Sequence, residues 1–306
     1  MLSLPAGQNE KRRCGLGALT AALQNVDGSP LHFYPHQRFH DQRGHTKPLK
    51  ISATIITFNE EENISAALES LTWADEVLVV DSESTDRTRE IAADWGARVL
   101  VQPWTGFASQ KQFATTQAAH DWVFSLDADE RVSPELRTAI LALAKQNTLT
   151  EDGYLINRRS FYQGRWIRGG GWYPDRQLRL FDRTRGSWKQ RLIHESVEMD
   201  QNARVSALSG DILHYSVKDA AHHHRMIGER YAPLAARQMF EEGKKSSVFK
   251  IATAAPSAFL ESYVLKAGFR DGLAGLTIAS FAAHHAFLKQ LMLWELEKKA
   301  SPPPAI

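Results

Sequence analysis

The sequence predicts an α/β fold: a mostly parallel sheet with helices on both faces, followed by a C-terminal helical region. Three observations carry this expectation. Apolar, β-branched runs of strand length alternate with stretches of helical spacing from residue 50 to about residue 150. The alternation stops after Gly153, and from Asp219 onward the apolar spacing is helical. Of the 306 residues, 43% are hydrophobic and 24% charged, the balance of a folded chain with a sizeable core rather than a disordered one.

Residues 1–48 are rich in Gly, Pro, Gln, His and Asn, hold no sustained period, and are expected to form a flexible extension. The first strand is Ile51-Ser-Ala-Thr-Ile-Ile-Thr57, followed by a helix carrying Ile64, Ala67, Leu68 and Leu71. The second strand is Glu76-Val-Leu-Val-Val-Asp81, with a helix from Asp86, whose carboxylate can cap the next amides. A third strand, Arg98-Val-Leu-Val101, precedes a helix over residues 107–119. A fourth, Trp122-Val-Phe-Ser-Leu126, precedes a helix opening at Pro134, a residue suited to the first turn. Two later strands are expected at Gly153-Tyr-Leu-Ile-Asn157 and Gln177-Leu-Arg-Leu-Phe181, separated by a loop through Gly169-Gly-Gly-Trp172. Together these give an α/β domain over residues 49–215 and a helical region over 216–306.

Ligands of such sheets bind outside the carboxyl ends of the strands. Here those ends read Thr57-Phe-Asn-Glu60, Asp81-Ser-Glu-Ser-Thr-Asp86 and Asp127-Ala-Asp-Glu130, so carboxylates and amides converge on one edge. Charge is distributed to match. The formal net charge is only +2, yet residues 49–157 hold 18 acidic and 8 basic groups, while residues 158–191 hold 2 and 10. An acidic body beside a basic stretch suits a metal ion on one side and anions on the other. Asp127 and Asp129 are two apart on an extended chain and therefore point the same way. Paired carboxylates are the donors that Mg²⁺ or Mn²⁺ prefers.

In order and spacing, Thr57-Phe-Asn-Glu-Glu-Glu-Asn-Ile64, Asp81-Ser-Glu-Ser-Thr-Asp86 with Thr88, and Leu126-Asp-Ala-Asp-Glu130 resemble the donor-binding half of the inverting family 2 glycosyltransferases of the GT-A fold. The resemblance covers residues 50 to about 215. Within the family, Trp172-Tyr-Pro-Asp-Arg-Gln-Leu-Arg-Leu-Phe181 and Leu192-Ile-His-Glu-Ser196 look most like lipopolysaccharide core β-glucosyltransferases. The resemblance implies transfer of a hexose, with glucose the expected one, from a UDP-type nucleotide donor to a lipid-linked or core saccharide.

The same resemblance implies roles for single residues. Thr57, Asn59 and Glu60 fall where the first turn contacts the nucleoside, and Asp81 where a carboxylate accepts from uracil, a strand-end turn former being the alternative for Asp81. Lys111 falls where the family often has a basic residue beside the donor, although Gln112 stands in the place of the family's Asn. Asp127 approaches ribose and metal, and Asp129 is the metal ligand, with His194 either completing that site, binding phosphate or packing in the core. Inversion needs a base for the acceptor hydroxyl, and Glu195 is the first candidate, Asp175 the second.

Among the basic residues, Arg176, Arg179 and Arg191 are candidates for an anionic acceptor, since guanidinium forks suit phosphate oxygens. Trp166, Trp172, Tyr173 and Trp188 stack on sugar rings or fill the core. Nucleic acid is not expected, because the carboxylate cluster repels its backbone. The other enzymatic reading, a sugar-phosphate nucleotidyltransferase, lacks its Gly-rich loop after the first strand. A non-catalytic nucleotide-sugar-binding protein is disfavoured by the presence of Asp127, Asp129 and Glu195.

A single cysteine, Cys14, excludes an internal disulfide, and the first eleven residues hold no apolar signal core, so a cytoplasmic location is expected. Residues 272–288 are uncharged but interrupted by Gly275 and carry His284 and His285, marginal for a membrane span. The C-terminal helices pair apolar residues with Lys266, Arg270, Lys289, Lys298 and Lys299, so contact with the inner face of the cytoplasmic membrane or packing on the catalytic domain is expected.

Overall fold

The computed structural model describes residues 49–146, 149–189 and 195–300. The expected N-terminal extension, Arg191 and His194 lie outside these residues.

Strands β1 (Ile51–Thr57), β2 (Glu76–Asp81), β3 (Arg98–Val101) and β4 (Trp122–Asp127) form a parallel run in the order β3-β2-β1-β4. Helices α1 (Ile64–Glu69), α2 (Thr88–Asp94), α3 (Phe107–Gln117) and α4 (Pro134–Ala144) connect or follow them. The short strand β5 (Glu130–Val132) leads into α4. Side-chain alternation along β1 assigns the layers. Ile51, Ala53 and Ile55 pack with Ile64 and Leu68 of α1, Ala92 of α2 and Leu136 and Ile140 of α4. Ile56, on the other face, packs with Val80 and with Ala114 of α3. Both faces are therefore covered, as buried parallel strands require.

Beyond β4 the sheet turns mixed. Strand β8 (Asp175–Asp182) pairs antiparallel with β4 and with β6 (Gly153–Tyr162), which in turn pairs parallel with β11 (Val205–His214). Strand β11 closes the path by pairing antiparallel with β5, and the two-residue β7 (Arg165–Trp166) hangs on β6. A hairpin of β9 (Gly186–Lys189) and β10 (Ser196–Met199) packs Trp188 and Val197 against Phe181 and Ala108. Strand β6 runs five residues past its expected end, to Tyr162, and α2 begins at Thr88 rather than Asp86. The latter shift has a simple cause: the Asp86 carboxylate accepts from the Thr88 amide at 3.0 Å, outside the helix proper.

The C-terminal region is helical, with α5 (Ala220–Arg225), α6 (Ala232–Glu241), α7 (Val248–Leu260) and α8 (Gly272–Ala300). Among the described residues no helix is long and apolar enough to cross a membrane. The 29-residue α8 is interrupted in hydropathy by its histidines and ends in a charged turn.

Candidate active site

The register of the parallel run brings the predicted strand ends together. Thr57 is paired with Asp81 across β1 and β2, and Ile56 with Asp127 across β1 and β4, so three carboxyl ends lie within one residue of each other. The turn after β1 is locked to the turn after β2. The Asn59 amide donates to Ser84 Oγ at 2.8 Å, the Thr85 amide donates to Asn59 Oδ1 at 2.8 Å, and the Glu60 amide donates to Thr88 Oγ1 at 2.8 Å. Asn59 takes a left-handed φ of 53°, a conformation Asn tolerates better than most residues. Thr57 is buried. Asp81 is fully buried and accepts from the Ser84 amide and hydroxyl, with Arg89 Nε at 3.6 Å. It therefore shapes the turn, with both carboxylate oxygens engaged and none of the side chain exposed.

At the centre stands a chain of alternating charges that links α3, β4, β5, β6 and β8. Lys111, 2% exposed, places Nζ 3.0 Å from Glu195 Oε1 and 2.9 Å from Asp127 Oδ1. Asp127 Oδ2 is 3.2 Å from Arg179 Nη2, which lies 3.0 Å from Glu130 Oε1. Glu130 is 3.5 Å from Arg158 Nη1, and Arg158 Nη2 is 2.7 Å from Asp175 Oδ2. The two candidate bases, Glu195 and Asp175, are thus the two ends of one network. Burial alone would raise the Asp127 carboxyl, but the charges of Lys111 and then Arg179 hold it far below the usual carboxylate range.

Contrary to the expectation for an extended chain, Asp129 does not share a side with Asp127: β4 ends at Asp127, residues 128–129 form a turn, and the second carboxylate is swung away from the first. Its carboxylate lies 3.3 Å from His214 Nε2 and lines a cleft of about 320 Å³ with Asn59, Glu60, Asp86, Tyr215 and Lys218. Burial pushes the Glu60 carboxyl up, the donation from Asn63 opposes this, and the nearby Asp129 adds to the rise.

The remaining predicted residues are distributed as follows. Arg179 is buried against Asp127 and Glu130, whereas Arg176 is exposed on the same strand. Trp188 is a core residue whose ring lies 5.0 Å from Lys111 Nζ, and Gln112 Oε1 accepts its amide at 2.8 Å. Trp172 packs beside Tyr162 and His223, and Trp166 beside Phe161 and Tyr215. The Tyr173 hydroxyl donates to Asp211 Oδ1 at 3.1 Å. Three residues of the candidate site carry no role in the sequence reading: Arg158 and His214, and Glu130, which is read there only as the end of a motif. Glu130 stands next to the Asp-x-Asp triplet, the one signal that pointed to it.

A model of glycosyl transferase family 2 matches residues 52–200. A lipopolysaccharide core biosynthesis glycosyltransferase of Rhizobium meliloti is 32% identical over 260 residues, 81% of this chain and 93% of that protein. The chain belongs to glycosyl transferase family 2. An uncharacterized glycosyltransferase of Rickettsia typhi is 33% identical over 262 residues, 82% of this chain and 89% of its own. Among solved structures, glucosyl-3-phosphoglycerate synthase from Mycobacterium tuberculosis, in complex with Mn²⁺, uridine diphosphate and glucosyl-3-phosphoglycerate, is 27% identical. That match covers 38% of this chain and 45% of the synthase at a TM-score of 0.30, too low to carry an inference. The family membership makes the protein a glycosyltransferase and gives the strand-end cluster its frame as a candidate active site.

Proposed function

We propose that this glycosyltransferase moves a hexose, with glucose the expected sugar, from a UDP-type donor to an anionic lipid-linked or lipopolysaccharide core saccharide, with inversion. The observation that supports this best is the position of Lys111 between Asp127 and Glu195, which joins a donor-side carboxylate to an acceptor-side one at the ends of the parallel strands. The nucleoside rests on the turn of Thr57, Asn59 and Glu60, with Asp81 accepting from the base, and Lys111 and Asp127 stand at the ribose and diphosphate. The acceptor hydroxyl oxygen attacks the anomeric carbon as the bond to the diphosphate oxygen breaks. The electron pair leaves with the nucleoside diphosphate, and the hydroxyl proton passes to Glu195, or to Asp175 as the second choice.

We infer a hard divalent cation, Mg²⁺ or Mn²⁺, on the cleft side, where Asp129 and Glu60 supply carboxylate oxygens, although among the described residues no three His, Asp or Glu side chains converge as a ready site. Asp129, with His214 against one of its oxygens, shares an oxygen-rich cleft with Glu60; burial is the main cause of the raised Glu60 carboxyl, and the smaller push from Asp129 is of the kind a cation relieves. Asp129 would be the principal ligand, since Asp127 already meets two cationic side chains; His214 is placed to assist, and His194 stays a candidate. Such an ion would neutralise charge on the departing diphosphate.

On the acceptor side, Arg176 is exposed and Asp175 is held by Arg158, so Arg176 and Arg191 are the proposed phosphate contacts. Arg179 acts through Asp127. A location at the inner face of the cytoplasmic membrane, with peripheral contact through the C-terminal helices, suits a lipid-linked acceptor. Screening nucleotide sugars for Mn²⁺-dependent donor hydrolysis tests this function. Hydrolysis of one UDP-hexose above the rest supports it, and no hydrolysis or transfer with any nucleotide sugar would refute it.

A further inference from the structure

Helix α7 buries none of its 13 side chains and carries one charged residue, Lys250. A surface helix of a soluble domain ordinarily turns its apolar stripe inward. Here Phe249, Pro256, Leu260 and Val264 recur along an outward face, with Phe249 76% exposed. The turn into α8 continues the pattern, with Leu265 and Leu273 75% and 74% exposed and Phe269 beside them. No other described element covers these residues.

Basic groups frame this surface at both ends. Lys245 and Lys250 stand at the start of α7, beside Lys244, which pairs with Glu242 at 2.6 Å, and Lys266 and Arg270 stand at the turn. The two acids within residues 244–273 are both engaged: Glu261 pairs with Lys266 at 2.7 Å, and the buried Asp271 accepts from the amides of Arg168 and Gly169 at 3.0 and 2.8 Å. We propose that α7 and the turn after it lie on an anionic lipid bilayer, the apolar stripe entering the headgroup boundary and the lysines meeting lipid phosphates. A second copy of the chain suits the surface less well. A two-fold contact would set each basic frame against its like, and the stripe offers no hydrogen-bonding groups to fix a register.

The surface is joined to the acceptor side. Ser262 Oγ donates to the Gly170 carbonyl at 3.0 Å, and Asp271 holds Arg168 and Gly169, so the turn is bonded to the loop that leads into Tyr173, Asp175 and Arg176. Docking would present that loop to the membrane at a fixed height. The inference rests on the proposed lipid-linked acceptor for its purpose and not for its test.

The test floats the full chain with vesicles of phosphatidylglycerol and phosphatidylcholine, and separately with pure phosphatidylcholine. The unmodified protein should partition onto the anionic vesicles at least about tenfold more strongly, and lose much of that binding in 0.5 M salt. The triple variant Phe249→Ser, Leu265→Ser, Leu273→Ser should bind about tenfold or more weakly, with donor hydrolysis in vesicle-free solution unchanged. Absence of binding by the unmodified protein, or equal binding by the variant, would overturn the proposal. A dimer dissolved by the same substitutions, without vesicle binding, would give the surface to a second copy. Loss of donor hydrolysis activity across all nucleotide sugars would remove the functional reading and leave a measured vesicle affinity standing.

Discussion

Lys111 Nζ and Glu195 Oε1 lie 3.0 Å apart although 84 residues separate them in the chain. The contact ties helix α3 to the residue just before β10, and the same ammonium holds Asp127. One buried cation therefore fixes the distance between the Asp127 and Glu195 carboxylates.

Replacing that cation tests the arrangement. Lys111→Met leaves two partly buried carboxylates facing each other, and should destabilise the protein by about 3 kcal/mol, the usual cost of removing one member of a buried pair. Turnover should fall by about a hundredfold or more as both carboxylates move. Chemical denaturation and steady-state kinetics read the two effects, and a variant with normal kcat would detach Lys111 from the reaction.

Arg179 should behave as a positioning residue. Arg179→Met leaves Glu130 fully buried with only Arg158 and Asp127 with only Lys111, so a loss of about 3–5 kcal/mol is expected. Arg179→Lys should recover part of the stability, because a lysine supplies the charge without the fork that reaches two carboxylates. If instead Arg179→Lys weakens acceptor KM alone, Arg179 touches the acceptor directly.

The choice of base divides cleanly between the two ends of the network. Glu195→Gln should leave donor affinity intact while transfer drops by about 10²–10⁴, and Asp175→Asn should have the smaller effect. Unchanged transfer by Glu195→Gln passes the role to Asp175.

On the cleft side, Asp129→Asn should weaken Mn²⁺ binding by at least about tenfold in calorimetry as well as abolish metal-dependent turnover. Full metal-dependent turnover by that variant would move the cation elsewhere. His214→Ala should weaken Mn²⁺ binding in the same direction, by less.

Stability should also depend on one buried histidine. His223 lies within 3.1 Å of the Tyr162 hydroxyl, and burial, with a smaller push from His222, lowers its pKa from 6.5 to about 4. The unfolded chain then binds the proton more readily than the folded one, so stability falls as pH drops from 6.5 toward 4, by at most about 3 kcal/mol. Urea midpoints at pH 7.5 and 5.0 measure the fall, and His223→Gln should reduce it.

Much of the parallel half was legible in the chain. Strands β1, β2 and β3 lie where their β-branched runs lie: β1 and most of β2 are buried on both faces, whereas β3 is the edge strand, with Arg98 and Val101 exposed. Strand β11 was not legible, for a physical reason. Its pairing with β6 shifts register between Ala207 and Asp211, and Gly210 sits there at φ +95° with the Leu136 backbone too close to admit a Cβ. The bulge breaks the alternation that announces a strand, and His214 at its end was missed with it. Arg179 was legible as a cation on an alternating strand, but sequence does not tell which way a strand faces. Only the pairing of β8 with β4 and β6 sets it opposite Asp127 and Glu130. Arg158 was hidden for a different reason: its strand was expected to end one residue before it.

The charge network has an odd length, and this has a consequence for the reaction. From Glu195 through Lys111, Asp127, Arg179, Glu130 and Arg158 to Asp175 it holds four acids and three bases, and both ends are acids. It therefore carries one unbalanced negative charge. A proton accepted at either end leaves three positive and three negative groups in strict alternation. If either end takes the acceptor's proton, the network itself becomes neutral, and releasing that proton restores its single negative charge.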